Sequence, residues 1–114
     1  MKIAVIGSRG LIVRDLENYL PEETTEIVSG GAQGIDACAK KYAYDNGIKY
    51  TEFLPEYEKY KRGAPLKRNL KIIDYADMVI AFWDGSSKGT RFVIENCERT
   101  NKEIKVIYLS KNEQ

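Results

Sequence analysis

Residues 78–90 read MVIAFWDGSSKGT, and this stretch decides the fold. Met78 to Phe82 is a short apolar run without a polar interruption, the pattern of a strand covered on both faces. Trp83-Asp84-Gly85-Ser86-Ser87-Lys88-Gly89 then supplies turn-forming residues. From Thr90 to Arg99 the spacing predicts a helix. Strand, glycine-rich loop and helix together form the repeating unit of a parallel α/β sheet.

The same unit recurs outward from this stretch. Lys2 to Ile6 (KIAVI) predicts a buried strand, followed by Gly7-Ser8-Arg9-Gly10 and a helix over Leu11–Leu20 that Pro21 stops, with Ile12, Leu16, Tyr19 and Leu20 on one face. Thr25 to Val28 predicts a second strand. Ser29-Gly30-Gly31-Ala32-Gln33-Gly34 leads from it into a helix over Ile35–Asn46. Ile35, Cys38, Ala39, Tyr42 and Ala43 make its apolar stripe, and Gly47 stands where a left-handed cap is wanted. Ile48–Leu54 predicts a third strand, and Pro55–Gly63 a charged loop. A third helix over Ala64–Tyr75 is expected to turn Leu66, Leu70 and Ile73 inward. Ile104–Leu109 predicts a fifth strand, and a polar tail (110–114) follows.

Strands alternating with helices imply parallel pairing through crossover connections. The expectation is therefore α/β: a single Rossmann-like domain spanning 1–114, with a five-stranded parallel sheet in the order 3-2-1-4-5 and helices on both faces. The length of 114 residues suits one domain. In such a sheet ligands bind beyond the carboxyl ends of the strands, where the winding reverses. That point falls between strands one and four.

Composition narrows the function. The chain is 43% hydrophobic and 31% charged, as expected of a folded rather than a disordered protein. No apolar run approaches the roughly 20 residues of a membrane helix, and the start shows no leader pattern. We expect a cytoplasmic protein without a membrane partner. There is no histidine, which excludes His-based catalysis and His metal sites. Cys38 and Cys97 are expected to be buried on helix faces. No metal and no cofactor is expected. A net charge of +1 disfavours a dedicated nucleic-acid surface.

The residues with chemical potential collect in three loops expected to open helices: Gly7, Ser8 and Arg9; Ser29, Gly30, Gly31, Ala32 and Gly34; and Trp83, Asp84, Gly85, Ser87, Gly89 and Thr90. A helix start offers unpaired N–H groups and a positive dipole end, and glycine lets a phosphate approach the backbone. Ser8, Ser29, Ser87 and Thr90 add hydroxyls; Arg9 and Lys88 add charge. None of the loops has the spacing of a dinucleotide fingerprint or a P-loop. Arg68 and Asn69 fit either a phosphate and base contact or a solvated helix face. Trp83 fits either base stacking or packing at the sheet edge. Asp36 and Glu95 are the candidate catalytic carboxylates, and Asp36 has the alternative role of favouring a helix start.

Four motifs, Gly7-Ser8-Arg9, Ser29-Gly30-Gly31-Ala32-x-Gly34-Ile35-Asp36, Arg68-Asn69 and Asp84-Gly85-x-Ser87-x-Gly89-Thr90, resemble the SLOG superfamily. That group of Rossmann-like proteins includes the DNA-processing protein A and the Lonely Guy phosphoribohydrolases; small stand-alone YspA-like members are the nearest in kind. The resemblance runs from residue 1 to about residue 109. It implies a nucleotide-derived ligand on the first, second and fourth loops, and self-association into a dimer or larger oligomer. Lonely Guy enzymes carry P-G-G-x-G-T-x-x-E, whose Glu serves glycosidic cleavage. Here Val93 stands in that place, and Glu95, two residues on, is turned away by about half a helix turn. The expected function is therefore binding, by sensing or sequestering, of a phosphate-bearing nucleotide-derived molecule. A nucleotide hydrolase and a single-strand DNA binder are the alternatives.

Overall fold

The computed structural model describes residues 1–110. All of the expected tail except Ser110 lies outside the described residues. Five strands, β1 (Lys2–Gly7), β2 (Glu26–Ser29), β3 (Lys49–Glu52), β4 (Met78–Trp83) and β5 (Ile104–Tyr108), form one sheet in the order β3-β2-β1-β4-β5. Every pairing is parallel. Helix α1 (Ile35–Asp45), the single turn α2 (Tyr57–Tyr60), α3 (Ala64–Tyr75) and α4 (Lys88–Thr100) complete the fold.

The apolar strands divide their side chains between two cores, as the two-residue period of a strand requires. Ile3, Val5, Ile27, Ile80 and Phe82 meet α1 on one face. Ala4, Ile6, Val28, Val79 and Ala81 meet α3 and α4 on the other. The sheet is thus the middle of three layers. Gly47 caps α1 at φ 65°, and the Ile48 amide reaches back to the Ala43 carbonyl at 2.9 Å.

The helix expected over Leu11–Leu20 does not form. Only Leu16–Asn18 makes a single 3-10 turn. Leu11, Val13 and Leu16 are buried while Ile12 is exposed. Burial at 11, 13 and 16 follows no helical stripe. The β-branched pair Ile12-Val13 and the Asp15 side chain, which accepts a bond from Asn18 Nδ2 at 3.2 Å, favour extended and turn backbone instead. The segment covers the sheet as a strap, with Tyr19 packed edge-on against Phe82 at 5.2 Å. The charged loop after β3 is more ordered than expected: it holds α2 and a 3-10 turn over Lys61–Gly63.

Helix α3 has the expected bounds but a different phase. Leu66 and Leu70 are 42% and 40% exposed, whereas Ile72, Ile73 and Ala76 are buried. The inward stripe begins at Pro65 and Asn69, which border a cleft rather than the core and so carry no apolar signature. Of the two cysteines, Cys97 is buried and Cys38 only partly so. Burial pushes the Cys97 thiol up to about 11, and it packs as a small neutral residue.

One buried acid makes a stability prediction. Glu26 is 6% exposed and accepts hydroxyl bonds from Thr51 and Tyr75, each at 2.6 Å. Burial alone would raise its pKa, but these bonds and Lys49 outweigh burial and hold it below the usual carboxylate range. A depressed folded-state pKa gives stability above the unfolded-state value that is lost as pH falls through the folded one. Glu26→Gln is expected to cost about 1–2 kcal/mol at neutral pH. That difference from the parent should shrink as the medium is acidified below the carboxylate range, as read by urea unfolding at both ends.

Candidate functional site

The carboxyl ends of β1, β2 and β4 and the first turns of α3 converge on a cleft of about 370 Å³. This is the winding reversal of the sheet, since β1 is flanked by β2 and β4. The β1 loop turns back at once: the Leu11 amide bonds the Ser8 carbonyl at 3.1 Å. Of the three glycine loops only the second and third open helices.

The first and third loops are locked together. Ser8 is 2% exposed; its hydroxyl lies 2.7 Å from Ser87 Oγ and accepts the Asp84 amide at 3.2 Å. Asp84 Oδ1 in turn accepts the amides of Ser86 and Ser87, each at 2.9 Å. Those two amides hold the Asp84 carboxyl below its usual range. Asp84 therefore shapes the loop.

Past that lock α4 begins. The amides of Lys88, Gly89 and Thr90 have no acceptor within the described residues, and the first helical bond comes from Arg91 to the Ser87 carbonyl at 3.2 Å. No acidic residue lies in this first turn. A Cβ at Gly89 would meet nothing within 4 Å. Thr90 is 5% exposed and lines the cleft, yet its hydroxyl makes no bond within the described residues.

The second loop meets the cleft through Ala32 and Asp36. Asp36 Oδ2 accepts the amides of Gly30 (3.3 Å) and Ala32 (3.1 Å), folding the loop over the start of α1. Burial raises the Asp36 pKa against the pull of the Ala32 amide and of Arg68. Gly30 abuts Arg68 instead of the cleft: its Cβ would stand 2.4 Å from Arg68 Nη1. Gly31 faces Glu52 and Leu54 on the β3 side, and Gly34 packs on the Arg9 carbonyl. The Ser29 hydroxyl is taken by Tyr50 at 2.6 Å.

Arg68 is part scaffold. Nη1 donates to the Gly30 carbonyl at 2.6 Å, and Nε to Asn69 Oδ1 at 2.8 Å. Nη2 has no partner within the described residues, and Arg68, Asn69 and Arg9 all line the cleft. Burial lowers the Arg68 pKa, and the nearby charge of Arg9 adds to that effect. Two cations that repel across a cleft favour an anion between them.

Some expected residues lie elsewhere. Trp83 donates to the Ser87 carbonyl at 3.1 Å, with Tyr108 and Arg91 against its ring, and it packs beside the third loop without lining the cleft. Gly85 is at the loop tip at φ 88°, and Glu95 is exposed on α4 away from the cleft. Gly7 closes on Ile35 and the Phe82 carbonyl as well as bordering the cleft. Residues not foreseen are Gly10, Pro65, Leu66 and the apolar side chains of Ile6 and Ile72; Val93, which stands in the Glu place of the resembled motif, lines the cleft with them. Among the described residues no helix is long and apolar enough to cross a membrane, and no cluster of three or more acidic or cysteine side chains could hold a metal ion.

No family model, curated protein or solved structure matches the chain.

Proposed function

We propose that the chain binds a small phosphate-bearing, nucleotide-derived molecule in this cleft, as a module that senses or sequesters it. The observation that carries the reading is the start of α4. Three unpartnered amides there stand beside the hydroxyl of the largely buried Thr90, which has no partner within the described residues and so reaches accessible space, and an open face at Gly89. A helix start without an acidic residue is an anion seat. Arg9 and the free Nη2 of Arg68 add positive charge from the other walls. The volume lies at the small end of known small-molecule sites.

Binding is favoured over glycosidic hydrolysis by the floor of the site. The position that holds Glu in the Lonely Guy motif is Val93, which is 2% exposed. A buried apolar side chain there cannot take or give a proton. Self-association stays part of the proposal through the resemblance alone.

Calorimetry with inorganic phosphate and nucleoside monophosphates tests the reading. Gly89→Asp places a carboxylate at the seat and is expected to lower affinity about tenfold or more. Thr90→Val removes one hydroxyl at constant shape, with an expected loss of about three- to tenfold. Parent and both variants binding alike would place the ligand elsewhere. Release of free base or phosphate during the titration would make the protein an enzyme.

A further inference from the structure

The two ends of the cleft differ in chemistry. At the α4 end stand the free amides of Lys88, Gly89 and Thr90 and the Thr90 hydroxyl, beside Asp84, whose Oδ1 is committed to the Ser86 and Ser87 amides. At the α1 end stands a carboxylate. Asp36 is 6% exposed and lines the cleft. Its Oδ2 is committed to the Gly30 and Ala32 amides, while Oδ1 has no hydrogen bond within the described residues. No buried side-chain oxygen or nitrogen among the described residues is both sealed from solvent and unbonded. Oδ1 therefore reaches accessible space, and the space that Asp36 borders is the cleft.

A buried carboxylate oxygen with one open side repels phosphate and wants a donor. The negative charge also satisfies the dipole of α1, so no second anion is wanted there. We infer that Asp36 is a specificity residue that accepts a sugar hydroxyl of the ligand, with the phosphate seated at α4 and a pentose diol spanning to α1. This rests on the phosphate seat proposed above and goes beyond it by naming what the other end of the site recognises. Strands β2 and β4 are separated only by β1, so their ends are two ladder spacings apart, about 9–10 Å. Burial, which raises the Asp36 pKa, strengthens the case: a donor that shares this charge relieves a desolvation cost.

The probes are inorganic phosphate, ribose 5-phosphate, AMP and 2′,3′-dideoxy-AMP, titrated by calorimetry into the parent chain and into Asp36→Asn. The amide variant must turn its oxygen to the Gly30 and Ala32 amides, which presents an NH2 to the ligand. We expect dideoxy-AMP to bind the parent about tenfold or more weakly than AMP, and Asp36→Asn to shrink that ratio toward one. Inorganic phosphate should bind the variant at least as tightly as the parent, because a nearby negative charge is gone. Ribose 5-phosphate matching AMP would assign a sugar phosphate, and AMP alone would assign a nucleotide; both support the phosphate–diol pairing. Equal binding of AMP and dideoxy-AMP to the parent, which needs no variant to fold, overturns the role of Asp36 and leaves the phosphate seat standing. If neither inorganic phosphate nor AMP binds, the seat itself fails and this inference with it.

Discussion

Gly34→Ala is expected to destabilise the fold by about 3 kcal/mol or more. Two costs combine. Gly34 sits at φ 75° and ψ −121°, outside the left-handed helical region and open essentially to glycine alone, where an L side chain is strained by about 1–3 kcal/mol. An added Cβ would also stand 2.4 Å from the Arg9 carbonyl oxygen and 2.9 Å from that of Leu11. Both are backbone atoms, so no rotamer change can relieve the contact. This glycine is where the second loop rests on the first. Gly47 supplies the control, because its φ is 65° but a Cβ there would meet nothing within 4 Å. Gly47→Ala should cost only about 1 kcal/mol, the price of the left-handed backbone alone. Urea unfolding of the two variants compares a positive-φ glycine in open space with one that is also pressed against backbone. Equal losses at both positions would show that the approach of the two loops contributes nothing.

Arg68→Ala is expected to cost roughly 2–4 kcal/mol of stability whether or not ligand is present. A residue that only met a phosphate would lose affinity and keep stability. The structure gives the guanidinium a second task. It holds the Gly30 carbonyl at 2.6 Å and offsets the buried charge of Asp36, whose pKa it lowers against burial. Removing it leaves a carbonyl short of its donor and a carboxylate short of its cation. A double-mutant cycle with Gly30 reads the packing directly. Gly30→Ala should be costly in the parent, since the new Cβ would lie 2.4 Å from Nη1. In the Arg68→Ala background the obstacle is gone and the same substitution should cost little. A coupling of about 1–3 kcal/mol is expected. Additive losses would mean that Arg68 does not rest on Gly30 in solution.

These two residues show how the site divides between what sequence reveals and what it hides. The glycines of the second loop were legible as exceptional, but their reason was not. Gly30 yields to Arg68, and Gly31 to Glu52 and Leu54 from the neighbouring strand. Each clash partner is distant in sequence, so no local pattern names it. Asp36 was legible as the acid of a helix start. That its two oxygens have different tasks depends on a loop folded back through two amides.

The sequence by itself determined the class of fold and the edge on which the glycine-rich loops gather; it favoured the strand order 3-2-1-4-5, which the structure fixed. Near-continuous apolar strands separated by helical stripes admit few arrangements, and parallel pairing sends every strand's outgoing loop to one edge. Local chemistry also settled the Gly47 cap and the bounds of α3. Tertiary structure decided the strap over 11–20, where burial against Phe82 and the sheet, together with the turn preference of Asp15, outweighed a weak helical pattern. It decided the phase of α3 as well, because a stripe that lines a cleft does not need to be apolar. It decided, finally, which polar groups are spent within the fold and which are left open to the cleft. Ser29 and Trp83 are spent; the Thr90 hydroxyl, the α4 amides and one oxygen of Asp36 are not. That distinction rests on hydrogen bonds between residues far apart in the chain, which composition and spacing do not encode.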